Sequence, residues 1–455
     1  GRFDQYMYQF YKRDIDTGIV TKEVALELLE CLWIKMSEIV YLYEEETARR
    51  ASGFPSGQNV CLGGVDRNGE DATNELSYLC LQAEAETRVI QPNLSIRVHK
   101  NTPDDFLLRA CSVERLGLGK PSNFNDEVII PALMNLGVSL EDARDYGIIG
   151  CVELTSIGNT MSHGNYGHLS LPKCLELALN NGVSRYGKKT GQQVGLRTGD
   201  PRRFKSFEKV VSAYKAQVEY FLKHFIIAEN FICDVAHRKL FPPVLLSAFV
   251  ADCIKRGRSV LAGGAKYNFG CPQAVGLANV ADSLAAIKKL VFEERAISMP
   301  QLIDALNRNF EGMEVLRQQL ITRAPKFGND DDYVDRIAAE VAEHFCKYAM
   351  QFKTLRPGGR ISPGLYSVSS HIFLGGLSGA TPDGRFAETP LADGGISPVQ
   401  GRDTEGPTAV VKSCAKLDQT LASNGTLLNL RFIPSLLSDE RGLRNLATLV
   451  RTYFD

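Results

Sequence analysis

The stretch "DYGIIGCVELTSIGNTMSHGNYGHL", residues 145–169, leads from an apolar run into a segment rich in glycine, serine, asparagine and histidine. The run ends at a glycine, and Cys151, Val152 and Glu153 follow it directly. In an extended segment, residues i and i+2 face the same side. We therefore expect the Cys151 thiol and the Glu153 carboxylate to point together at the end of a buried strand. Strand ends that open into such loops are where α/β enzymes hold reactive groups.

Several interpretations of this thiol are open. Cys151 could be a small buried hydrophobe, with Glu153 as a carboxylate at the rim. His163 and His168 follow at a spacing that a metal site tolerates, but the paired cysteines of a structural zinc site are missing. Either histidine could also be the base of a nucleophilic cysteine. A negative Glu153 would raise the pKa of the thiol and disfavour a thiolate. The pattern therefore favours a thiol that works without ionising.

Length and composition limit the classes of protein that this chain can belong to. It has 455 residues, of which 44% are hydrophobic, so it can bury a large core. The net charge of -1 gives no basic excess that would favour a nucleic-acid partner. No apolar run reaches the length of about 18 residues that predicts a membrane span. Eleven cysteines without a C-x-x-C pair indicate reduced thiols and a cytoplasmic protein.

Apolar residues at helical spacing alternate with short strand-like runs along the chain. The run at residues 21–43 predicts a helix with Thr21 as its N-cap, and "LPKCLELALNNG" predicts an amphipathic helix. There is no repeat and no low-complexity linker, so we expect one α/β domain over residues 1–455. Further helices are predicted over residues 103–116, 203–240, 281–296 and 300–320.

Six segments resemble, in order, the motifs of one protein family, the glycyl radical enzymes of the pyruvate formate-lyase-like superfamily. The segments are "GIIGCVE" (147–153), "GGAKYN" (263–268), "GNDDDYVDRIA" (328–338), "GATPDGR" (379–385), "PLADGGISPVQGRDTEGPTAVVKSCAKLD" (390–418) and "NGTLLNLRF" (424–432). The resemblance runs from the first residue to the last. It implies an α/β fold, the family's ten-stranded barrel of two parallel half-sheets that meet antiparallel, with helices outside and the Cys151 loop inside.

The resemblance also implies a mechanism. In this family a backbone glycyl radical takes a hydrogen atom from the cysteine, and the resulting thiyl radical abstracts one from the substrate. In the lyase and dehydratase branch, the glutamate two residues later is the base that deprotonates a substrate hydroxyl. Cys151 and Glu153 match these two positions. The resemblance thus predicts a lyase that breaks a C–O, C–N or C–S bond, and above all a dehydratase of a small hydroxylated metabolite.

Two departures from the family pattern qualify this prediction. Pyruvate formate-lyase carries two adjacent cysteines, whereas Gly150 and Val152 flank Cys151, so formate acetyltransferase chemistry is disfavoured. Acyl transfer and decarboxylation remain alternatives within the family, and a non-catalytic scaffold is a third. The family's R-V-x-G-[YF] motif, which holds the radical glycine, is not found. We expect a chain truncated at both ends, without the N-terminal helical part and the C-terminal glycine radical domain.

The family also implies a cofactor and partners. The chain itself is expected to bind no cofactor, because the glycyl radical would lie on a residue outside it. A radical S-adenosylmethionine activating enzyme would install that radical. A small-molecule substrate and a homodimer are the other expected partners, with neither nucleic acid nor membrane. The resemblance places the enzyme in the cytoplasm or inside a bacterial microcompartment.

Candidate substrate-binding residues come from three segments. One dehydratase of the family has an active-site aspartate before its N-x-x-x-G-G strand, where this chain has Ser56. His163 and His168 could line the pocket or merely cap the helix that starts near Leu171.

The third segment is "RISPGLYSVSSH", residues 360–371, which we expect to be extended. Alternate side chains would then point into the barrel. Tyr366, Val368 and Ser370 are the candidates for the pocket wall, with simple strand packing as the alternative.

Overall fold

Residues 1–40, 45, 57–240 and 243–454 are described by the structure, a computed structural model, so Ser56 lies outside the described residues. The chain forms two compact units, Gly1–Thr160 with Arg431–Asp455, and Met161–Leu430. Both units combine helices with strands, and the predicted α/β class is confirmed. None of the helices in the described ranges has the length and apolar character that a membrane span requires.

Helices and strands alternate from Asn59 to Ile149, and runs of helices separate the strands of the second unit. The strands are β1 (Asn59–Gly63), β2 (Asn93–Val98), β3 (Ser122–Asn125), β4 (Tyr146–Ile149), β5 (Glu153–Ser156), β6 (Thr160–Ser170), β7 (Tyr267–Val275) and β8 (Arg360–Ile361). The α-helices are α1 (Phe3–Tyr6), α2 (Tyr8–Asp16), α3 (Lys22–Ser37), α4 (Glu75–Thr87), α5 (Asp104–Glu114), α6 (Asp126–Asn135), α7 (Leu140–Arg144), α8 (Leu171–Ala178), α9 (Phe207–Phe231), α10 (His237–Leu240), α11 (Val244–Phe249), α12 (Cys253–Arg256), α13 (Leu277–Ala286), α14 (Met299–Asn307), α15 (Glu314–Thr322), α16 (Asp332–Ala349), α17 (Ser370–Gly376), α18 (Pro407–Ala415) and α19 (Glu440–Phe454). Single π-helical turns at Ile232–Ala236 and Ile287–Glu293 extend α9 and α13.

Most predicted helices are found close to their predicted bounds. α5 matches the prediction over 103–116, and α9, its π-helical turn and α10 account for most of 203–240. Thr21 is the N-cap of α3, because its side chain accepts a hydrogen bond from the Val24 amide. α3 ends at Ser37, earlier than predicted, and residues 41–43 of the predicted helix lie outside the described residues.

Two predicted helices have different bounds. The helix predicted over 300–320 is two helices, α14 and α15, because Asn309 and Phe310 between them adopt positive φ values of +50° and +63°, which a right-handed helix cannot contain. The helix predicted over 281–296 begins earlier, after Gly276 at a φ of +85°. Asp282 therefore lies inside α13 and is fully buried.

The first unit is built on a parallel sheet in the order β1-β2-β3. The apolar residues of β1 and β2 are buried along nearly the whole strands, as is typical of a parallel sheet covered on both faces. α19 belongs to this unit, and its Leu446 and Ala447 join the same hydrophobic core. Strands β4 and β5 form an antiparallel hairpin in which Ile149 pairs with Glu153.

A buried ion pair lies at the base of this hairpin. At most 1% of the surface of Arg97 and of Asp126 is exposed. Nε and Nη2 of Arg97 each donate a hydrogen bond to a different carboxylate oxygen of Asp126, both at 2.8 Å. The Tyr146 hydroxyl donates to Asp126 at 2.7 Å, and the Arg97 guanidinium lies 3.9 Å from the Tyr146 ring centroid. Arg97 also donates to the Tyr146 carbonyl at 3.1 Å. These contacts attach the first residue of β4 to β2.

Replacing Arg97 by methionine is expected to lower the free energy of unfolding by about 3–5 kcal/mol, because Asp126 would be left as an uncompensated buried charge. Denaturant titration of this chain measures the change. Adding Asp126→Asn to Arg97→Met should recover part of the loss, since the buried charge is then removed.

Arg67→Met is the matched control, because Arg67 forms an exposed ion pair with Asp145 at 2.9 Å. An exposed pair contributes about 0–1 kcal/mol. Equal losses for the two arginine variants would contradict this interpretation of the buried pair.

The second unit contains a sheet in the order β6-β7-β8. β7 is buried almost throughout and pairs in parallel with β8. β8 is only two residues long, but its parallel pairing with β7 continues beyond Pro363. The Gly364 amide donates to the Pro272 carbonyl at 3.0 Å, and the Gly364 carbonyl accepts from the Ala274 amide at 3.0 Å. The extended segment predicted over 360–371 is confirmed through Leu365, which pairs in parallel with Thr426, and is wrong at its end, where the last residues belong to α17.

Candidate active site

Cys151 lies at the tip of the β4–β5 hairpin, in the turn Gly150–Val152. The prediction that it lies in an extended segment is wrong, because β5 turns back along β4 immediately after the cysteine. Gly150 allows this turn through a φ of +63°, which glycine adopts without steric cost. Val152 is buried and anchors the turn, whereas Cys151 keeps accessible surface within the described residues.

The Glu153 carboxylate folds back against the same turn. Its Oε2 accepts hydrogen bonds from the Cys151 amide at 2.7 Å and from the Val152 amide at 2.9 Å. Glu153 is buried, with 6% of its surface exposed. The sequence predicts that thiol and carboxylate lie together on one face of a strand. In the structure the carboxylate contacts the backbone of the turn that carries the thiol, so a hairpin and not strand alternation brings the two residues together.

Desolvation by the surrounding protein raises the pKa of Cys151 to about 11, and the negative charge of Glu153 adds to this effect. The pKa of a thiol sets the pH at which thiolate appears, so a raised pKa keeps Cys151 protonated at neutral pH. The raised pKa of the thiol is the effect that the sequence predicts for a neighbouring Glu153, and that the thiol works without ionising stays a prediction.

His163 and His168 lie on β6, in the second unit. Ser170 is the N-cap of α8, so the histidines do not cap that helix. Burial, followed by the nearby charges of Arg356 and His237, lowers the pKa of His163 to about 3, and burial lowers the pKa of His168 to about 4. Both rings are neutral at physiological pH and are weak bases for a nucleophilic cysteine.

The Nε2 atoms of both histidines are buried without a hydrogen-bond partner among the described residues. Such atoms are available to a ligand, and the hypothesis that His163 and His168 line a pocket remains a prediction. Within the described part of the chain, no group of three histidine, cysteine or carboxylate side chains could hold a metal ion.

Tyr366, Val368 and Ser370 do not share one face of a strand. Tyr366 is fully buried, donates to the Gly164 carbonyl at 3.0 Å, and meets the His168 ring edge-on at 5.9 Å. Val368 is 47% exposed and has a φ of +50°. Ser370 is the first residue of α17, and its hydroxyl donates to the Ser367 carbonyl at 2.5 Å. Of the three, Tyr366 is the one that contacts another candidate residue.

Asn93 was not indicated by the sequence, yet it contacts the turn Gly150–Val152. Its side-chain amide donates to the Gly150 carbonyl at 2.9 Å. Asn93 begins β2, far from Gly150 along the chain, and no local pattern connects the two residues. A long-range contact of this kind is visible only in the structure.

The raised pKa of Cys151 predicts slow thiol–disulfide exchange. A pKa about two units above that of an ordinary cysteine leaves roughly 100-fold fewer thiolates near neutral pH. Each thiolate is roughly tenfold more nucleophilic, so the net rate should be roughly tenfold slower than that of a cysteine peptide.

Cys31→Ser is the background for this measurement, since Cys31 and Cys151 are the exposed cysteines and the other nine are buried. Adding Glu153→Gln should shift the pH profile of exchange to lower pH, because a negative charge beside the thiol is removed. A profile that coincides with that of the peptide would contradict the raised pKa.

Comparison with known proteins places the chain in a family. The family model for pyruvate formate lyase-like proteins matches residues 1–375, and a second model, described as glycine radical, matches residues 392–455. Trans-4-hydroxy-L-proline dehydratase of Clostridioides difficile is 41% identical over 456 residues, which are 100% of this chain and 57% of that protein.

Solved structures agree with this placement. The glycerol-bound B12-independent glycerol dehydratase of Clostridium butyricum superposes with a TM-score of 0.95 at 46% identity, over 100% of this chain and 56% of the other. A structure described as 1,2-propanediol dehydration in Roseburia inulinivorans gives a TM-score of 0.96 at 42% identity, and the match covers 100% of this chain and 57% of the other. The predicted glycyl radical enzyme fold is confirmed, and the chain spans little more than half the length of these relatives. The chain belongs to the pyruvate formate lyase-like family of glycyl radical enzymes.

Proposed function

We propose that the protein containing this chain is a glycyl radical lyase that dehydrates a small hydroxylated metabolite. The observation that carries the proposal is the Cys151–Glu153 turn. A protonated, accessible thiol and a buried carboxylate lie on the same short loop. The relatives reported above, which are named for the dehydration of hydroxyproline, glycerol and 1,2-propanediol, support the same reaction class.

The thiol fits the cofactor that the family implies. A glycyl radical supplies, when it is present, the capacity to remove a hydrogen atom from a thiol. Only a protonated thiol carries that hydrogen atom, and the pKa of Cys151, raised to about 11, keeps it protonated at neutral pH. Pyruvate formate-lyase needs two adjacent cysteines, so Gly150 and Val152 beside Cys151 argue against acyl transfer.

Cys151 and Glu153 would act on neighbouring atoms of one substrate. The Cys151 sulfur, as a thiyl radical, takes a hydrogen atom from the carbon that bears a hydroxyl group. Glu153 takes the proton of that hydroxyl as a general base, which needs hydrogen-bond reach to the same molecule. The hairpin turn supplies this proximity, because the carboxylate is held against the backbone of Cys151 and Val152.

Atoms and electrons balance without a further reactant. After deprotonation, the substrate radical expels hydroxide from the adjacent carbon and becomes a carbonyl compound with the radical on that carbon. Glu153 returns its proton to the hydroxide, which leaves as water. The carbon radical takes the hydrogen atom back from Cys151 and restores the thiyl radical. For a vicinal diol the net change is one substrate molecule to one carbonyl product and one water. For hydroxyproline the hydrogen atom would come from the ring carbon between nitrogen and the carbon that bears the hydroxyl, and the ring nitrogen would lose the proton, so that the products are a cyclic imine and one water.

The cofactor and the partners are part of the proposal. A radical S-adenosylmethionine activating enzyme would install the glycyl radical. We also propose a homodimer that works in the cytoplasm or inside a bacterial microcompartment.

An anaerobic substrate panel tests this function. The protein containing this chain is activated with a radical S-adenosylmethionine enzyme and given glycerol, propane-1,2-diol or trans-4-hydroxy-L-proline. We expect dehydration of at least one of these compounds, detected as an aldehyde or a cyclic imine, and no carbon dioxide from an arylacetate. Release of carbon dioxide instead would favour a decarboxylase, and an activated protein that turns over no member of the panel would contradict the proposed substrate class.

A further inference from the structure

Gly150 leaves the space that the Glu153 carboxylate occupies. A Cβ atom at position 150 would lie 2.6 Å from Oε2 and 2.7 Å from Oε1 of Glu153. Both distances are shorter than any ordinary contact of a carbon atom, so a side chain at this position and the carboxylate exclude each other. Gly150 is therefore needed for more than its positive φ.

Asn93 contacts the backbone carbonyl of Gly150. Its Nδ2 donates to the Gly150 carbonyl at 2.9 Å, and its Oδ1 accepts from Gln91 Nε2 at 3.3 Å. The two contacts assign the orientation of the amide. Asn93 is fixed by the β1–β2–β3 sheet, in which it pairs with Asn59. The carbonyl directly before Cys151 is thus attached to the sheet.

We propose that Gly150 and Asn93 are positioning residues for the base: Gly150 leaves room for the Glu153 carboxylate under the turn, and Asn93 fixes the Gly150 carbonyl. The inference rests on the proposed function, in which Glu153 is the base. Neither residue touches the reacting atoms. They act by keeping the carboxylate on the amides of Cys151 and Val152.

Gly150→Ala is the decisive variant. Alanine at this position should push the carboxylate away from both amides, and the activated protein should lose roughly the same factor in kcat as Glu153→Gln, on the order of 10²-fold or more, with little change in KM. The double variant Gly150→Ala with Glu153→Gln should be no slower than Glu153→Gln alone, because each change by itself already removes the action of Glu153 as the base.

Gly158→Ala is the matched control. Gly158 lies in the turn that follows β5, its φ of +73° is as unfavourable for alanine as that of Gly150, and nothing lies within 4 Å of the added Cβ. It should therefore reproduce the backbone strain without displacing the carboxylate. Asn93→Ala, with Asn59→Ala as its control on the neighbouring strand, tests the second contact and should lower kcat less than Gly150→Ala does.

Thiol–disulfide exchange of this chain gives a readout that does not depend on activity. In the Cys31→Ser background, Gly150→Ala should shift the pH profile of Cys151 to lower pH, as Glu153→Gln does, whereas Gly158→Ala should leave it unchanged. If Glu153→Gln lowers kcat but Gly150→Ala changes neither kcat nor the pH profile, the positioning role is wrong. If Glu153→Gln leaves kcat unchanged, the proposed base is wrong as well.

Discussion

Replacement of Cys151 by serine should abolish turnover while the glycyl radical remains detectable by electron paramagnetic resonance. The protein for this test contains this chain and is activated anaerobically. A serine O–H bond is too strong for a glycyl radical to break, so no radical can pass from residue 151 to the substrate. The hydroxyl group is close in size to the thiol, and the hairpin should remain folded because the Cys151 contact with Glu153 uses the backbone amide.

Cys31→Ser is the control for this prediction, because Cys31 is the other exposed cysteine and lies on α3. That variant should keep the rate of the unmodified protein. Substantial turnover by Cys151→Ser would remove Cys151 from the mechanism, whatever happens to the radical signal.

Glu153→Gln should lower kcat by roughly 10²–10⁴-fold, the usual contribution of a general base. Glutamine has nearly the same size, and its side-chain oxygen can still accept from the Cys151 and Val152 amides. It cannot take a proton from the substrate hydroxyl. Steady-state kinetics with the dehydrated substrate measures the loss, and the glycyl radical signal should be unaffected.

Glu141→Gln is a suitable comparison, since Glu141 is an exposed residue of α7 whose ion pair is with Arg67. It should change kcat by less than a factor of about two, as is usual for a surface substitution. An unchanged kcat in Glu153→Gln would mean that another group deprotonates the substrate.

Much of the helical framework could be predicted because its signals are local. The apolar spacing of α5 and the side chain of Thr21 before α3 depend on residues within a few positions of each other. The same holds for the chemistry of Cys151 and Glu153, since an acidic neighbour raises the pKa of a thiol in any conformation that keeps the two residues close.

The conformation of the turn that carries Cys151 could not be predicted, because it depends on the pairing of β4 with β5. Strand alternation describes residues within one strand, but Ile149 pairs with Glu153 across a hairpin. Gly150 at a φ of +63° reverses the chain between them. The contacts of Asn93 and of Arg97 with this hairpin join residues far apart in the sequence, and no periodic pattern reports them.

Residues 360–371 show a second limit of prediction from the sequence. Serine and glycine separate the apolar residues at a spacing that resembles strand alternation. Strand pairing continues to Leu365, but the hydroxyl of Ser370 donates to the Ser367 carbonyl at the start of α17. Local side-chain bonds of serine compete with strand pairing, which is why a pattern of alternating residues was insufficient here.

The central claim is that a Cys151 thiyl radical, generated by a glycyl radical, drives dehydration. The most direct test measures product formation and glycyl radical spin in the same anaerobic samples, activated to different extents. We predict that the rate of dehydration rises in proportion to the spin and that brief exposure to air removes both together. Product formation at an undiminished rate in a sample without the radical signal would contradict the account.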